Sequence, residues 1–168
     1  MLGKLTLDAF KHGPIVTVGQ ISMVLGALSV VGLLFYLKRW KWLWREWITT
    51  VDPKKIGVMY IVVALVMLLR SLSDAAMMRA QQAISVGSNH GFLSSDHFQQ
   101  VFTAHGTMMI FFVAMGLMFG LINLIVPLQI GARDVAFPFL NATSFWLYAM
   151  GAVLLNLSLM VGEIGATG

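Results

Sequence analysis

Four long apolar runs dominate the sequence and limit what the chain can fold into. They cover about residues 15–37, 56–78, 98–127 and 137–162. Each is long enough to match the roughly 20 residues that a helix needs to cross a bilayer. In lipid, an open backbone has no water to bind, so a run of this length satisfies its polar groups as a helix. The sequence therefore predicts an all-α membrane protein with about four transmembrane helices.

The composition of the chain excludes several classes of protein. Hydrophobic residues make up 58% and charged residues only 11%, whereas about a quarter of a soluble domain is charged. Because there are no cysteines, the chain supplies neither thiolate ligands for zinc nor iron–sulfur clusters. The basic residues behind the net charge of +4 lie between the apolar runs. This pattern indicates membrane topology, and we expect no nucleic-acid partner.

The linker at residues 38–55, KRWKWLWREWITTVDPKK, sets the expected orientation. It carries six basic residues and four tryptophans. Basic loops stay on the cytoplasmic side, and tryptophans form belts at the lipid–water interface. We therefore expect the linker and the loop 128–136 to be cytoplasmic and the N-terminus to be periplasmic. The first run is too long for the core of a secretory signal and is expected to remain as a membrane span.

A histidine inside the third run is the strongest sign of chemistry. His105 lies about two turns below the polar start of this run near Phe98. An unpaired polar group in hydrocarbon costs a few kcal/mol, which favours a metal, a haem iron or a proton path at the imidazole. Gly106 leaves room for a bulky planar group close to the backbone. The alternative is a histidine that is hydrogen-bonded to a carbonyl of a neighbouring helix.

A polar set lies near the outer ends of the second and third runs. Arg70 and Asp74 are four residues apart and can pair on one helix face, while His97 and Gln100 are three apart at a similar expected depth. The set suits a small ligand with two oxygens at opposite ends of a ring, such as a quinol, whose hydroxyl proton Asp74 would accept. The alternative is a structural ion pair with an interfacial histidine. His105, eight residues from His97, points to a different neighbour, which predicts two sites at different depths.

Further polar residues lie at the ends of the runs. Arg79 is expected to extend to the outer interface. Asp134 follows the third run in IGARDVAFP, where a solvated turn or a helix cap is the simpler interpretation. Asn123 and Asn141 flank it and could order water molecules, which would also suit a proton entry path.

Several long strings resemble the N-terminal part of subunit I of the haem-copper terminal oxidases, in the quinol-oxidising cytochrome bo-type branch. They are WKWLWREWITTVDPKKIGVMYI, VMLLRSLSDAAMMRAQQA, FTAHGTMMIFF and VPLQIGARDVAFPFLN, and the resemblance covers nearly all of residues 1–168. Three positions depart from the family pattern. Pro53 stands where histidine is usual, Gly116 where proline is common, and Ala142 replaces a second asparagine after Asn141.

The resemblance implies a role for each candidate residue. His105 would be an axial ligand of a low-spin haem b, and Arg79 would lie near that haem. The ubiquinol site would consist of four polar residues, namely Arg70, Asp74, His97 and Gln100. Asp134 would mark the mouth of the D-type proton channel, with Asn123 and Asn141 on its early path.

The resemblance also implies a parent enzyme in the bacterial inner membrane. It would be a proton-pumping ubiquinol oxidase that reduces O2 to water, surrounded by lipid and assembled from the rest of subunit I with subunits II, III and IV. The high-spin haem, the copper and the second haem b ligand need histidines beyond the four present, which are His12, His90, His97 and His105. We therefore expect the chain to be an N-terminal fragment that is inactive alone. A cytochrome c oxidase subunit I and a non-catalytic four-helix membrane module remain as alternatives.

Overall fold

The computed structural model describes the backbone of residues 14–161 and the side chains of residues 21, 24–26 and 28–157. Every regular element in this part of the chain is a helix, which confirms the predicted all-α class. His12, one of the four histidines, and Gly162, the predicted end of the fourth run, lie outside the described residues.

The helices follow the apolar runs in order. They are α1 (Pro14–Tyr36), α2 (Trp40–Leu43) with a π-helical turn at Trp44–Ile48, α3 (Pro53–Ile84), α4 (Ser95–Thr107), a π-helical segment at Met108–Ala114, α5 (Met115–Gln129) and α6 (Pro138–Val161). Within the searched residues, three helices are long and apolar enough to cross a membrane, namely α3, the continuous helix Ser95–Gln129 and Pro138–Leu157. A shorter apolar stretch, Val24–Tyr36, lies in α1.

The second span is longer than the apolar run that predicts it. α3 contains 32 residues, or about 48 Å of helix at 1.5 Å per residue. Because the hydrocarbon layer is only about 30 Å thick, the polar ends of α3 extend beyond it. At its N-terminal end, the side chain of Asp52 caps the helix by accepting a hydrogen bond from the backbone N–H of Lys54 at 2.9 Å. Pro53 occupies the first helical position, where proline is favoured, so this departure from the family pattern is compatible with the helix start.

The chain divides into two compact units between Thr50 and Val51. In the first unit, the rings of Trp42 and Trp47 meet edge to face with their centroids 6.1 Å apart. The second unit contains α3, α4, α5 and most of α6, up to Leu159. All of the candidate site residues that the sequence predicts lie in this second unit.

α3 and α5 approach each other closely at two glycines. A Cβ atom on Gly57 would lie 2.8 Å from the carbonyl oxygen of Gly120, and one on Gly120 would lie 2.9 Å from the carbonyl oxygen of Gly57. Small residues allow helix backbones to approach where lipid provides no hydrophobic driving force between helices. The crossing therefore fixes α3 against the helix that carries His105.

Two clusters of buried side chains surround α3. One joins it to the third span and to α6, and contains Met67, Ala104, Met108, Val113 and Ala152. The other joins its inner half to α6 through Ile56, Tyr60 and Phe145. α3 is therefore the helix around which the second unit is packed.

The π-helical segment of the third span has a partner in α6. The Tyr148 hydroxyl donates a hydrogen bond to the carbonyl oxygen of Phe112 at 2.6 Å, within the wider helical turn. It occupies the space that a side chain on Gly116 would need. Gly116, one of the three departures from the pattern of the resembled family, therefore leaves room for Tyr148 to reach this carbonyl.

Gly57→Ala is expected to destabilise the second unit by about 1–3 kcal/mol, because the added methyl group would meet backbone that cannot move aside. Gly32→Ala is the matched control, since nothing lies within 4 Å of its Cβ position. Thermal unfolding in detergent, followed by circular dichroism, should show a lower midpoint for Gly57→Ala than for the control. Equal midpoints would contradict the close crossing.

Candidate functional site

His105 is held by a residue of the neighbouring helix. Its Nδ1 lies 2.9 Å from the hydroxyl oxygen and 3.0 Å from the carbonyl oxygen of Ser71, a residue that is fully buried. An Nδ1–H donated to these oxygens leaves the lone pair on Nε2. Within the described residues, Nε2 has no hydrogen-bond partner. This is the tautomer that a metal-ligating histidine adopts.

The contact with Ser71 bears on both interpretations of His105. Nδ1 is hydrogen-bonded to Ser71 of α3, as expected if His105 has only a structural role. The other nitrogen is free for a ligand, and a Cβ atom on Gly106 would meet no described atom within 4 Å. No group of three His, Asp or Glu in the described part of the chain could hold a metal ion. An iron at His105 would therefore need ligands from a porphyrin and from residues elsewhere in the parent.

Asp74 is fully buried beside this contact, one turn along α3 from Ser71. Arg70 Nη1 donates a hydrogen bond to Asp74 Oδ1, which confirms the ion pair predicted from the four-residue spacing. The other carboxylate oxygen, Oδ2, is buried without a hydrogen-bond partner among the described residues. Leaving a buried acceptor unpaired costs about 1–3 kcal/mol, and more when it is charged. A ligand that donates a proton or a hydrogen bond to Oδ2 would remove this cost.

His97 and Gln100 lie in the first two turns of α4, and both are half-buried. The backbone N–H of His97 donates to the hydroxyl of Ser94, the residue that caps α4, at 3.3 Å. Gln100 makes no hydrogen bond to Arg70 or Asp74 in the described part of the chain. The two polar pairs therefore lie on neighbouring antiparallel helices without a direct bond between Gln100 and the ion pair.

The depth of the Arg70–Asp74 pair differs from the sequence expectation. Because Ser71 contacts His105, the pair lies nearly level with His105 and not with His97. His97 precedes His105 by eight residues, or about 12 Å along the helix axis. The polar ends of the two runs predict one alignment of the helices, whereas packing sets a different register in the structure. Counted along the two helices from the Ser71–His105 contact, Asp74, Gln100 and His97 lie at successively greater distances, and Arg70 is bonded to Asp74. We call these four residues the outer polar column.

Two buried polar residues of α3, Ser71 and Gln81, are not identified by the sequence analysis. Ser71 holds His105, and Gln81 hydrogen-bonds to the loop before α4. The signal that could have found them is the spacing of the buried face. Met67, Ser71, Asp74, Met78 and Gln81 follow one another at intervals of three or four residues and are all buried.

Near the end of α5 and the start of α6, two candidate residues come together. The Asn141 side chain donates a hydrogen bond of 2.6 Å to Asn123 Oδ1, and Asn123 donates 2.9 Å to the carbonyl oxygen of Phe119. The Ser144 hydroxyl, one turn further along α6, lies 2.9 Å from the Tyr60 hydroxyl. Hydrogen bonds through Asn141 and the exposed Ser144 therefore connect the buried Asn123 with the buried Tyr60.

Asp134 and Arg79 are exposed and do not join these clusters. Asp134 Oδ1 accepts a hydrogen bond of 2.8 Å from the backbone N–H of Val135, which is the local turn geometry that the simpler interpretation expects. Arg79 is exposed and donates only a long 3.5 Å bond to Gln82. Neither side chain contacts His105, Asn123 or Asn141 through a hydrogen bond in the described residues.

Comparisons with known proteins identify the family. The family model described as cytochrome c and quinol oxidase polypeptide I matches residues 55–168. Over its whole length the chain is 57% identical to the cytochrome bo(3) ubiquinol oxidase subunit 1 of Buchnera aphidicola subsp. Schizaphis graminum, covering 26% of that relative. It is 51% identical to the ubiquinol oxidase subunit 1 of Acetobacter aceti, covering 26% of it. It is 52% identical to the probable cytochrome c oxidase subunit 1 of Bradyrhizobium diazoefficiens, covering 25%.

The chain belongs to the cytochrome c and quinol oxidase polypeptide I family. This membership agrees with the resemblance drawn from its motifs. The chain spans about a quarter of the length of these curated relatives.

Asn141→Leu is expected to destabilise the second unit by about 1–3 kcal/mol, because it leaves the Oδ1 of the buried Asn123 without its donor. Thr143→Ala is the matched control on the same helix, since its exposed hydroxyl bonds only to the carbonyl of Phe139 in the preceding turn. The midpoints of thermal unfolding in detergent would compare the two. A control that is destabilised as much as Asn141→Leu would refute the importance of the asparagine pair.

Proposed function

We propose that this chain acts as part of the catalytic subunit of a proton-pumping ubiquinol oxidase, which reduces O2 to water in a bacterial aerobic respiratory chain. The observation that carries the proposal is the arrangement around Ser71. A histidine with a free Nε2 lies beside a buried carboxylate whose Oδ2 has no partner among the described residues. An electron acceptor and a proton acceptor would thus be adjacent, as oxidation of a quinol requires.

His105 would hold the iron of a low-spin haem b through Nε2. Its Nδ1–H would be donated to Ser71, which orients the ring and makes Nε2 a better ligand to iron. When bound, the haem would take up electrons one at a time and pass them towards the oxygen-reducing centre. Gly106 would keep space open next to the ring. The second axial ligand, the high-spin haem and the copper would belong to the rest of the parent subunit.

The outer polar column is the proposed ubiquinol site. Asp74 Oδ2 would accept the hydroxyl proton of the quinol, while Arg70 holds the other carboxylate oxygen and so fixes the orientation of the base. Gln100 and His97, further out along α4, would hydrogen-bond the opposite oxygen of the ring. A ring with oxygens at both ends suits a site that is extended along the helix axis.

The proposed proton entrance lies at the opposite end of the bundle. Asp134 is exposed and available to water, and the hydrogen-bonded pair Asn123–Asn141 would order water molecules behind it. In this orientation the N-terminus is periplasmic, and the loops 38–55 and 128–136 are on the cytoplasmic side of the inner membrane. Arg79, exposed near the outer end of α3, would contribute positive charge to the surroundings of the haem.

The main alternative is a subunit I that receives its electrons from cytochrome c, as the name of the Bradyrhizobium relative indicates. Cytochrome c would dock outside the membrane and would not need a proton acceptor buried in the bundle. The unpartnered Oδ2 of Asp74 therefore favours a quinol. A purified parent that turned over with reduced cytochrome c and not with ubiquinol would decide for the alternative.

His105→Ala, made in the full-length parent, is expected to abolish the low-spin haem spectrum, because the iron loses an axial ligand. The measurement is the reduced-minus-oxidised absorption spectrum of purified enzyme, together with extracted haem content. Ser73→Ala on the neighbouring α3 should retain the spectrum, since its hydroxyl is exposed and bonds only to the carbonyl of Leu69. A normal low-spin band in His105→Ala would support a non-catalytic membrane module.

Asp74→Asn is expected to lower the rate of ubiquinol oxidation by about 100-fold or more, because the amide cannot accept the hydroxyl proton. The low-spin haem should remain, since Asp74 makes no hydrogen bond to His105 in the described structure. Stopped-flow reduction of the haem by ubiquinol, compared with reduction by dithionite, separates the two effects. If ubiquinol reduced the variant as fast as the unchanged enzyme, Asp74 would not be the proton acceptor.

A further inference from the structure

Gln81 stands apart from the other polar residues of α3 because its side chain is almost fully engaged with one loop. It is 8% exposed. Its Nε2 donates to the carbonyl oxygens of His90 at 2.9 Å and Leu93 at 3.3 Å. Its Oε1 accepts from the backbone N–H groups of Phe92 at 2.8 Å and Leu93 at 2.9 Å. One amide thus satisfies four backbone groups.

The loop is shaped around this amide. Gly91 has a positive φ of 72°, which favours glycine over other residues. A Cβ atom at that position would lie 2.5 Å from the Gln81 side-chain nitrogen and oxygen. The Asn89 side chain in turn accepts a hydrogen bond from the N–H of Gly91 at 3.0 Å. The backbone at residues 90–93 therefore approaches Gln81 as closely as a glycine permits.

The end of this loop determines where α4 begins. Leu93, which bonds to Gln81 through both its N–H and its carbonyl, is buried and directly precedes Ser94. Ser94 caps α4, and its hydroxyl accepts from the backbone N–H of His97. Residues at fixed distances along a helix move together. The position of Leu93 therefore sets the height and rotation of His97 and, one turn later, of Gln100.

We propose that Gln81 is a positioning residue for quinol binding: its amide fixes Leu93 and the start of α4 and thereby holds His97 and Gln100 at the outer end of the outer polar column. The inference rests on the proposed ubiquinol site. Gln81 itself does not touch the quinol. Gln81 acts through Leu93 and Ser94, the residues that lead into α4. The loss of its side chain should therefore weaken quinol binding more than it slows the chemical step.

The test uses the full-length oxidase with Gln81→Leu, which removes all four bonds, and Gln82→Leu as the control. Gln82 is exposed, next along the same helix, and makes only the long contact with Arg79. Gln81→Leu should raise KM for a short-chain ubiquinol by about tenfold or more, leave the maximal rate within a few-fold, and leave the low-spin haem spectrum unchanged. Gln82→Leu should leave KM unchanged. An unchanged KM in Gln81→Leu would overturn the proposal.

Gln81→Glu gives a second readout that loss of stability alone would not produce. It keeps the acceptor for Phe92 and Leu93 but puts a second oxygen against the carbonyls of His90 and Leu93. When protonated, the new carboxyl can donate to one of those carbonyls; when charged, it is repelled by both. The KM of Gln81→Glu relative to the unchanged enzyme should therefore rise with pH. A ratio that stays constant with pH would count against the amide contact.

If Gln81→Leu fails to assemble haem, Gly91→Ala carries the test, because it forces the loop away from an intact Gln81. Gly91→Ala should raise KM in the same way and expose the amides of Phe92 and Leu93 to hydrogen exchange. A normal KM with faster exchange would overturn the proposal.

His97→Asn separates the proposed role of Gln81 from the proposed ubiquinol site. If it raises KM while Gln81→Leu does not, only the role of Gln81 is refuted; if neither raises KM, the ubiquinol site falls as well.

Discussion

The hydrogen bond between His105 and Ser71 is the contact on which the arrangement of buried polar side chains in the second unit depends. In a lipid environment an imidazole and a buried carboxylate are both costly, and α3 meets this cost by placing its polar side chains on the face that it buries. Ser71 joins this face to the third span at His105, and Asp74 follows one turn further out. Ser71 fixes both the depth and the tautomer of His105. Because Asp74 lies one helical turn from Ser71, its position relative to His105 is determined as well.

Packing on both sides of this contact holds the two helices in register. The crossing at Gly57 and Gly120 holds α3 against the third span on one side of His105. On the other side, the hydrogen bonds of Gln81 hold the loop that precedes α4. Between these two points the helix register cannot shift by a residue without losing buried hydrogen bonds. The π-helical segment lies between His105 and Gly120, where a wider turn changes the rotation of the helix that follows. Such segments are frequent near functional sites.

The sequence was sufficient for the helices but not for their register. Runs of apolar residues longer than a span dictate helices wherever lipid is the solvent, and the spacing of Arg70 and Asp74 dictates their pairing. The relative height of α3 and α4 depends on a loop whose shape is set by Gln81 and Gly91, which are 10 residues apart in sequence. No local sequence pattern predicts that the Gln81 amide will hydrogen-bond to the backbone of the separate loop at residues 90–93. This is why the outer polar column was expected as one layer and lies instead along the helix contact.

The column arrangement has a consequence for how a quinol would be oxidised. Electrons and protons from the ring would leave by different routes, and the two proposed acceptors belong to different helices, the third span and α3. A haem held by His105 would take the electrons at the third span, whereas Asp74 is bonded to Arg70, whose side chain is 21% exposed. The Arg70 guanidinium would offset the negative charge of Asp74 before the proton arrives and would favour its release afterwards, since it stabilises the charged carboxylate. Further out, His97 and Gln100 extend the polar path towards the outer end of α4. α3 would therefore hold His105 in place through Ser71 and would also accept the quinol proton through Asp74.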